Sequence, residues 1–460
     1  MTLITVARAA LLTLLASGAA AMPTMERNVP RPERVEASGT PSTFSENATA
    51  VDVPDAMSKL ALNYLYGQQK VRGVNLGGWL VLEAWITPSL FEQTGNSAII
   101  DEWTFAQFQD RARAADALQR HWDTWITEDD FRQIAAAGLN HVRIPVGYWA
   151  YDISAGEPYH QGQALYVDRA VGWARNHGLK VLLEIHGAPG SQNGFDNSGQ
   201  YGTPHFQDNP QNALRLKNVV NTLAKKYAND QTVTALGLLN EPATFYGQQI
   251  LDYTTQYWRD SYGATRWPWA EEGNGAQSNL LLVISDGFQP LSHWNNFMND
   301  PQYTSVAIDT HYYQVFNNEE LSWTWPQRLQ QVCSKRGLYS ASPNWLLVGE
   351  WSLASTDCAK FLNARHKGHR YDGTFEGSAR FGSCSDKTGG GNNFSPEYKE
   401  FMRQFFDTQA QVYENHSQGW FYWCWKNEDA ADWSYKRGME LGFIPRNPTS
   451  YKYPLANTCN

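Results

Sequence analysis

Eight short apolar or alternating runs recur along the chain, with helical patterns between most of them. They are Val71 to Leu76, His141 to Val146, Lys180 to His186, Ala235 to Glu241, Asn279 to Ser285, Ser305 to Tyr312, Trp345 to Trp351 and Gly419 to Trp425. Many are hydrophobic on both faces, as strands covered on both sides must be. Three intervening helices carry plain start or stop signals. Thr127-Glu128-Asp129-Asp130 gives an N-cap and early acids to an Ala-rich body followed by Gly138. A second, Val167 to His177, closes at Gly178. In the third, Asn212 to Tyr227, Leu216, Val219, Val220, Leu223 and Tyr227 approach i, i+3, i+4 spacing, with basic residues in the last turn. Strand and helix alternating eight times predict the α/β class: a (β/α)8 TIM barrel in one domain over residues 61–460, with long loop insertions. Helical signals after the sixth and seventh runs are weak, so loop-rich excursions are expected there.

A barrel of this type requires functional residues to crowd the C-terminal ends of its strands. Arg143, His186, Asn240 with Glu241, His311 with Tyr313, Glu350 and Trp425 all sit at such ends. Glu241 and Glu350 are the sharpest of these, because a carboxylate ending a hydrophobic strand is costly unless it faces a cleft. They fall on the fourth and seventh strands, which face each other across the mouth of an eight-stranded barrel. Carboxyls converging to ~5–5.5 Å suit a retaining double displacement, whereas ~6.5–9.5 Å leaves room for water and implies inversion. In the retaining scheme Glu241 arrives protonated as the acid and Glu350 attacks as the ionised nucleophile. Asn240 is placed to hydrogen-bond a sugar 2-hydroxyl. Arg143 and His311 are candidates to hold Glu350 ionised, and Tyr313 to donate to it.

Composition narrows the partners. Net charge is −9 with no basic run, which argues against nucleic acid. Aromatic content is 13% with 19 Trp, a mild pointer to pyranose rings beyond what a core uses. Residues 1–21 read as a signal peptide: Arg8, an apolar stretch Ala9 to Leu15, then Ala19-Ala20-Ala21. Residues 22–60 read as a disordered leader or pro-segment rich in Pro, Ser, Thr and Glu. No hydrophobic tail follows Tyr453, so no lipid-linked anchor is expected. The protein is therefore expected to be secreted, to the medium or cell wall, and monomeric. Of the five cysteines, Cys424 lies in an aromatic run and reads as a buried free thiol. The other four read as two bridges. No cysteine or histidine has zinc-ligand spacing, so no structural metal is expected. Asn47, Asn393 and Asn415 lie in glycosylation sequons.

Asn240-Glu241-Pro242 joined to Gly349-Glu350-Trp351 about a hundred residues later is a specific pair of signals. With Arg72-Gly73-Val74-Asn75-Leu76-Gly77-Gly78-Trp79, His186-Gly187-Ala188-Pro189-Gly190 and His311-Tyr312-Tyr313-Gln314, it resembles glycoside hydrolase family five. Within that family the likeness is to the secreted fungal exo-β-1,3-glucanases, from about Lys70 to Cys459. The resemblance implies a cofactor-free, retaining exo-hydrolase that releases glucose from the non-reducing ends of β-1,3-glucan. It implies Glu241 as acid/base and Glu350 as nucleophile. It further implies that Glu83, Arg143, His186, Asn240, His311, Tyr313 and Trp425 line the terminal-glucose subsite, with Asp196 in the adjoining His186 to Asp196 motif. Phe195 and Phe316 match aromatics that clamp the next sugar. The implied disulfides are Cys333 with Cys459 and Cys358 with Cys384. The middle residue, Tyr312, should alternate away from the cleft, and the same alternation puts Trp423 and Trp425 on one face. The insertions Gly187 to Pro210 and Asp357 to Phe394 are expected to wall one end of a cleft into a pocket. Rival readings are a β-glycosidase for β-1,6-glucan or another β-glucoside, and a non-hydrolytic wall-glucan-binding protein.

Overall fold

Each of the eight runs forms a strand, and the strands pair in parallel, in chain order, until the last closes on the first. The strands are β1 Val71–Asn75, β2 His141–Gly147, β3 Lys180–Gly187, β4 Val233–Gly237, β5 Leu281–Ser285, β6 Val306–Tyr312, β7 Trp345–Trp351 and β8 Gly419–Tyr422. The computed structural model describes residues 62–459, and these form a (β/α)8 barrel. The expected signal peptide and leader, residues 1–60, lie outside the described residues, as does Asn47.

Helices Glu128–Ala136, Gln163–Asn176, Pro210–Tyr227 and Gln248–Arg266 follow β1 to β4 around the barrel. Between β5 and β6 the connection keeps only a short 3-10 turn, Leu291–Trp294. The loop-rich excursions expected after β6 and β7 are present, most plainly at residues 352–395, where Cys384–Asp386 is the one short 3-10 turn. Each connection also carries a long helix that the weak signals did not mark. Trp325–Ser340 and Pro396–His416 are full helices, of 16 and 21 residues. The first opens with a capping box between Thr324 and Gln327, the second with the Ser395 hydroxyl accepting from Tyr398 N–H. Tyr398, Phe401, Met402, Phe405, Phe406 and Tyr413 give the longer helix its buried face.

Two strand ends also fall earlier than expected. β4 stops at Gly237, so Glu241 belongs to the following segment, where its φ is +40°. β8 stops at Tyr422, so the alternation argument does not extend to Trp425.

The N-terminal end of the barrel is sealed by packing. Tyr66, Val71, Leu182, Ala235, Leu281, Val283, Ala307, Leu347 and Phe421 form one buried cluster. Tyr66 donates from its hydroxyl to Thr234 Oγ1 at 3.1 Å, and the Tyr64 ring stands edge-on to His141 at 4.6 Å. Chemistry is thus confined to the opposite, C-terminal face. There the Asp357–Phe394 insertion is anchored by the fully buried Asp357 carboxylate, which accepts from Asn363 and from the N–H groups of Arg370 and Tyr371. A disulfide joins Cys358 to Cys384 across it, and Cys333 pairs with Cys459. Cys424 is free and buried. Asn393 and Asn415 are both exposed.

Candidate active site

Arg143, on β2 and fully buried, organises the C-terminal mouth. It donates to Asn75 Oδ1 (2.9 Å), Glu350 Oε1 (2.9 Å) and Asn240 Oδ1 (2.8 Å). Glu184 and Asp309 flank it at 3.6 and 3.7 Å. Two strand glycines make room for these acids. A Cβ at Gly237 would meet the Glu184 side chain at 2.7 Å, and one at Gly349 would meet the Asp309 carboxylate at 2.0 Å. Burial works against the Arg143 charge, but Glu184, Glu350 and Asp309 outweigh it, so the guanidinium stays protonated.

Glu350 on β7 is held from two sides. Arg143 takes Oε1, and the Tyr313 hydroxyl donates to Oε2 at 2.8 Å. Glu241 reaches the same space from the β4 loop. Its positive φ turns the chain, and a positive φ at a non-glycine residue persists only where surroundings impose it. Gln192 supplies part of that constraint. Its buried amide donates to His186 O (2.8 Å) and Asn240 O (2.9 Å) and accepts from Ala188 N–H (3.0 Å), clipping the β3 and β4 loops together. One carboxylate oxygen each from Glu241 and Glu350 and one ring nitrogen of His311 lie within 4.8 Å of one another. Two carboxylates so close match the retaining geometry and leave little space for an inverting water. Arg143 and a protonated His311 already supply the positive charge that a cation would bring to this cluster.

His311 follows a register shift in the β6–β7 pairing, between Thr310 and His311. Its Nδ1 lies 2.6 Å from Glu241 Oε1 and 3.5 Å from Glu350 Oε2, and Nε2 lies 3.4 Å from Asp309. Burial lowers the His311 pKa, but Glu350, Asp309 and Glu241 reverse that and hold it well above its ordinary value. Burial likewise raises Glu241, yet the His311 hydrogen bond and charge leave it lowered overall. Glu350 stays raised: burial and Glu241 outweigh the opposing His311 and Arg143. The His311 ring sits closer to Glu241 than to Glu350, which favours a charged imidazole beside an ionised Glu241 in the free site.

The remaining predicted residues fall as follows. Asn240 Nδ2 is buried without a partner, which leaves an N–H to meet a sugar hydroxyl. His186 bonds through Nδ1 to Glu184 Oε2 at 2.9 Å, and its Nε2 is unpartnered. Glu83 accepts from Trp85 Nε1 at 2.9 Å, and burial, with Asp196 adding to it, raises its pKa well above the ordinary value. Asp196 is pushed up to about 7, by burial first and Asp101 second. Phe195 stands edge-on to Phe288, itself packed on Phe245, whereas Phe316 packs on Tyr313 at 5.5 Å. The two rings thus belong to different aromatic groups. Tyr312 faces the outer layer, with Lys335 over its ring at 4.7 Å.

Trp425 is a correction. Its indole donates to Asp130 Oδ1 at 2.9 Å, tying the end of the barrel to the helix that Asp130 caps, and its ring stacks on Tyr435. Trp423 is the tryptophan that meets the site, stacked on His186 at 5.6 Å and 10°. The cause is the early end of β8, after which strand alternation no longer applies.

Sequence reasoning missed Asn75, Glu184, Asp309, Gln192 and Asn197, which donates to Glu241 Oε2 at 3.4 Å. Glu184 and Asp309 had a readable signal: each is an acid inside an apolar strand, two residues before a histidine and so on the same face. Gln192 and Asn197 sit in a loop whose sequence carries no periodicity.

A buried, closely spaced carboxylate pair at the C-terminal mouth of a (β/α)8 barrel defines a glycoside hydrolase. The Cellulase (glycosyl hydrolase family 5) family matches residues 109–429, and the chain belongs to that family. It is 43% identical over 422 residues to a glucan 1,3-beta-glucosidase of Blumeria graminis, spanning 90% of this chain and 95% of that protein. It is 43% identical over 393 residues to a probable glucan 1,3-beta-glucosidase A of Aspergillus niger, with 85% and 90% covered. Among solved structures, the rutinosidase from Aspergillus niger has a TM-score of 0.63 at 18% identity, covering 84% of this chain and 99% of that one, a likeness of fold.

Proposed function

We propose that this protein is a retaining, exo-acting β-glucosidase that releases glucose from the non-reducing ends of β-1,3-glucans. The carrying observation is the pair of carboxylates that bring an oxygen each within 4.8 Å of one another, one held by Arg143 and Tyr313 and the other by His311. Its relatives' names supply the linkage.

In the first step Glu350 attacks the anomeric carbon and the glycosidic oxygen leaves with a proton from Glu241. That proton reaches Glu241 from His311 Nδ1 across the 2.6 Å contact, as substrate displaces water and the charge balance changes. A glucosyl ester on Glu350 results. In the second step Glu241, now a base, takes a proton from water, whose oxygen attacks the same carbon and frees Glu350. A sugar hydroxyl replacing that water gives transglycosylation. Arg143 and the free Asn240 N–H support the charge and the 2-hydroxyl as the oxocarbenium-like state forms.

Exo action is supported by two long insertions, each braced by its own contacts, that could close one end of the cleft. The Gly187–Pro210 segment is internally bonded through Ser191, Ser198 and Asn193, and the second insertion by Asp357 and its disulfide. Two disulfides fit an oxidising compartment, so secretion to the medium or cell wall is part of the proposal, as is a monomer. Among the described residues no helix is long and apolar enough to cross a membrane.

Anomeric NMR on laminarin digests should show β-glucose first, with no early oligosaccharides. Equal or faster release from pustulan would overturn the β-1,3 assignment. Binding without hydrolysis would favour the wall-binding alternative.

A further inference from the structure

Outside the catalytic mouth, a cavity of about 560 Å³ lies between the segment after β6 and the long β7 insertion. Trp323, Trp325, Tyr371 and Phe381 line it, with Thr356 and Lys387 among its polar groups. The Trp323 ring touches no other aromatic ring among the described residues, so its faces are not spent on one. Trp325 offers less, since it is stacked on Phe401 at 4.9 Å and 7°. Tyr371 is held by close backbone approach: a Cβ at Gly382 would meet its ring at 2.5 Å. Thr356 is 1% exposed, and its hydroxyl has no hydrogen-bond partner. Burying a hydroxyl unpaired is costly, and Thr356 is part of the wall of this cavity.

We infer that this cavity is a second carbohydrate site, which holds a glucosyl unit of the glucan chain away from the catalytic pocket. Aromatic surfaces beside isolated hydroxyl partners match the apolar faces and hydroxyl rim of a pyranose. Lys387 adds a donor, and no carboxylate lines the cavity, so sugar cleavage there has no acid or nucleophile. The site is continuous with the pocket wall. Tyr371, Phe381 and Leu321 pack in the same cluster as Phe316, Tyr313 and Trp433. Phe316 N–H also donates to Glu320, one residue before the lining begins. Polysaccharide anchored here stays beside the catalytic mouth between turnovers. The identity of the ligand rests on the β-glucan reading above.

The test uses full-length Glu350→Gln protein, retained on insoluble curdlan, with and without Trp323→Ala or Thr356→Val. Either change should weaken retention roughly fivefold, the scale of losing one ring or hydroxyl contact. The same changes in active enzyme should raise KM on laminarin while leaving kcat/KM on an aryl β-glucoside within about twofold, since they leave the pocket intact. Thr356→Val removes only an unpartnered hydroxyl, so it carries the test should Trp323→Ala misfold. Unchanged retention in both variants, or an equal loss on the aryl glucoside, overturns the second site. Absence of glucose release from laminarin by the unaltered enzyme would instead overturn the substrate reading.

Discussion

Tyr313→Phe removes one atom from the site and leaves the ring contacts to Phe316 and Trp433 in place. The lost hydroxyl donates to Glu350 Oε2 at 2.8 Å, inside a side chain only 6% exposed. Burial and Glu350 push the Tyr313 pKa well above the ordinary phenol value, so the hydroxyl remains a donor across the working range. A hydrogen bond to a charged group contributes ~1.5–3 kcal/mol, and 1.36 kcal/mol corresponds to about one pKa unit. Since only the ionised carboxylate benefits, its loss should raise the Glu350 pKa by about 1–2 units. Glu350 must be ionised to attack, and its pKa is already raised by burial. The acid limb of kcat/KM should therefore move to higher pH by about that amount, and the plateau should fall by about tenfold. A pH–rate profile on an aryl β-glucoside reads both. An acid limb that stays put, or moves to lower pH, would refute the assignment of Tyr313 as the donor holding the nucleophile charged.

Three further outcomes follow from the same contacts. Trp423→Ala should cost glucose-subsite affinity by tenfold or more in KM, whereas Trp425→Phe should leave kcat/KM within about threefold and lower stability by about 1–2 kcal/mol through the lost Asp130 bond, read by urea denaturation. Gln192→Leu strands the buried carbonyls of His186 and Asn240, so kcat should fall at least tenfold and stability by about 2–4 kcal/mol, with KM on short substrates changed less. Cys333→Ser with Cys459→Ser opens a closure spanning 126 residues, for which chain entropy gives about 4–5 kcal/mol; calorimetry should show a markedly lower Tm with the catalytic pH profile unmoved.

The barrel was legible because its strands are buried on both faces and its helices carry caps, signals that act locally. The buried acid pair was legible for a related reason: placing Glu350 at the end of an apolar strand is costly unless it faces a cleft. What escaped was set by tertiary contact. The helix Trp325–Ser340 buries Arg328, whose guanidinium donates to three backbone carbonyls, and so its pattern looked less apolar than its environment is. Trp425 was misplaced because nothing local marks where β8 stops pairing. The close pairing of His311 with Glu241 escaped for the same reason, since the 2.6 Å contact joins residues 70 positions apart.

The covalent step is the centre of the account. Incubation with 2-deoxy-2-fluoro-β-glucosyl fluoride, which forms the glucosyl ester and releases it slowly, followed by peptide mass spectrometry, locates the attacking group. A single adduct on Glu350, formed as activity disappears and lost as it returns, is the predicted result. An adduct on Glu241 or any other residue, or turnover to α-glucose with no adduct, would contradict it.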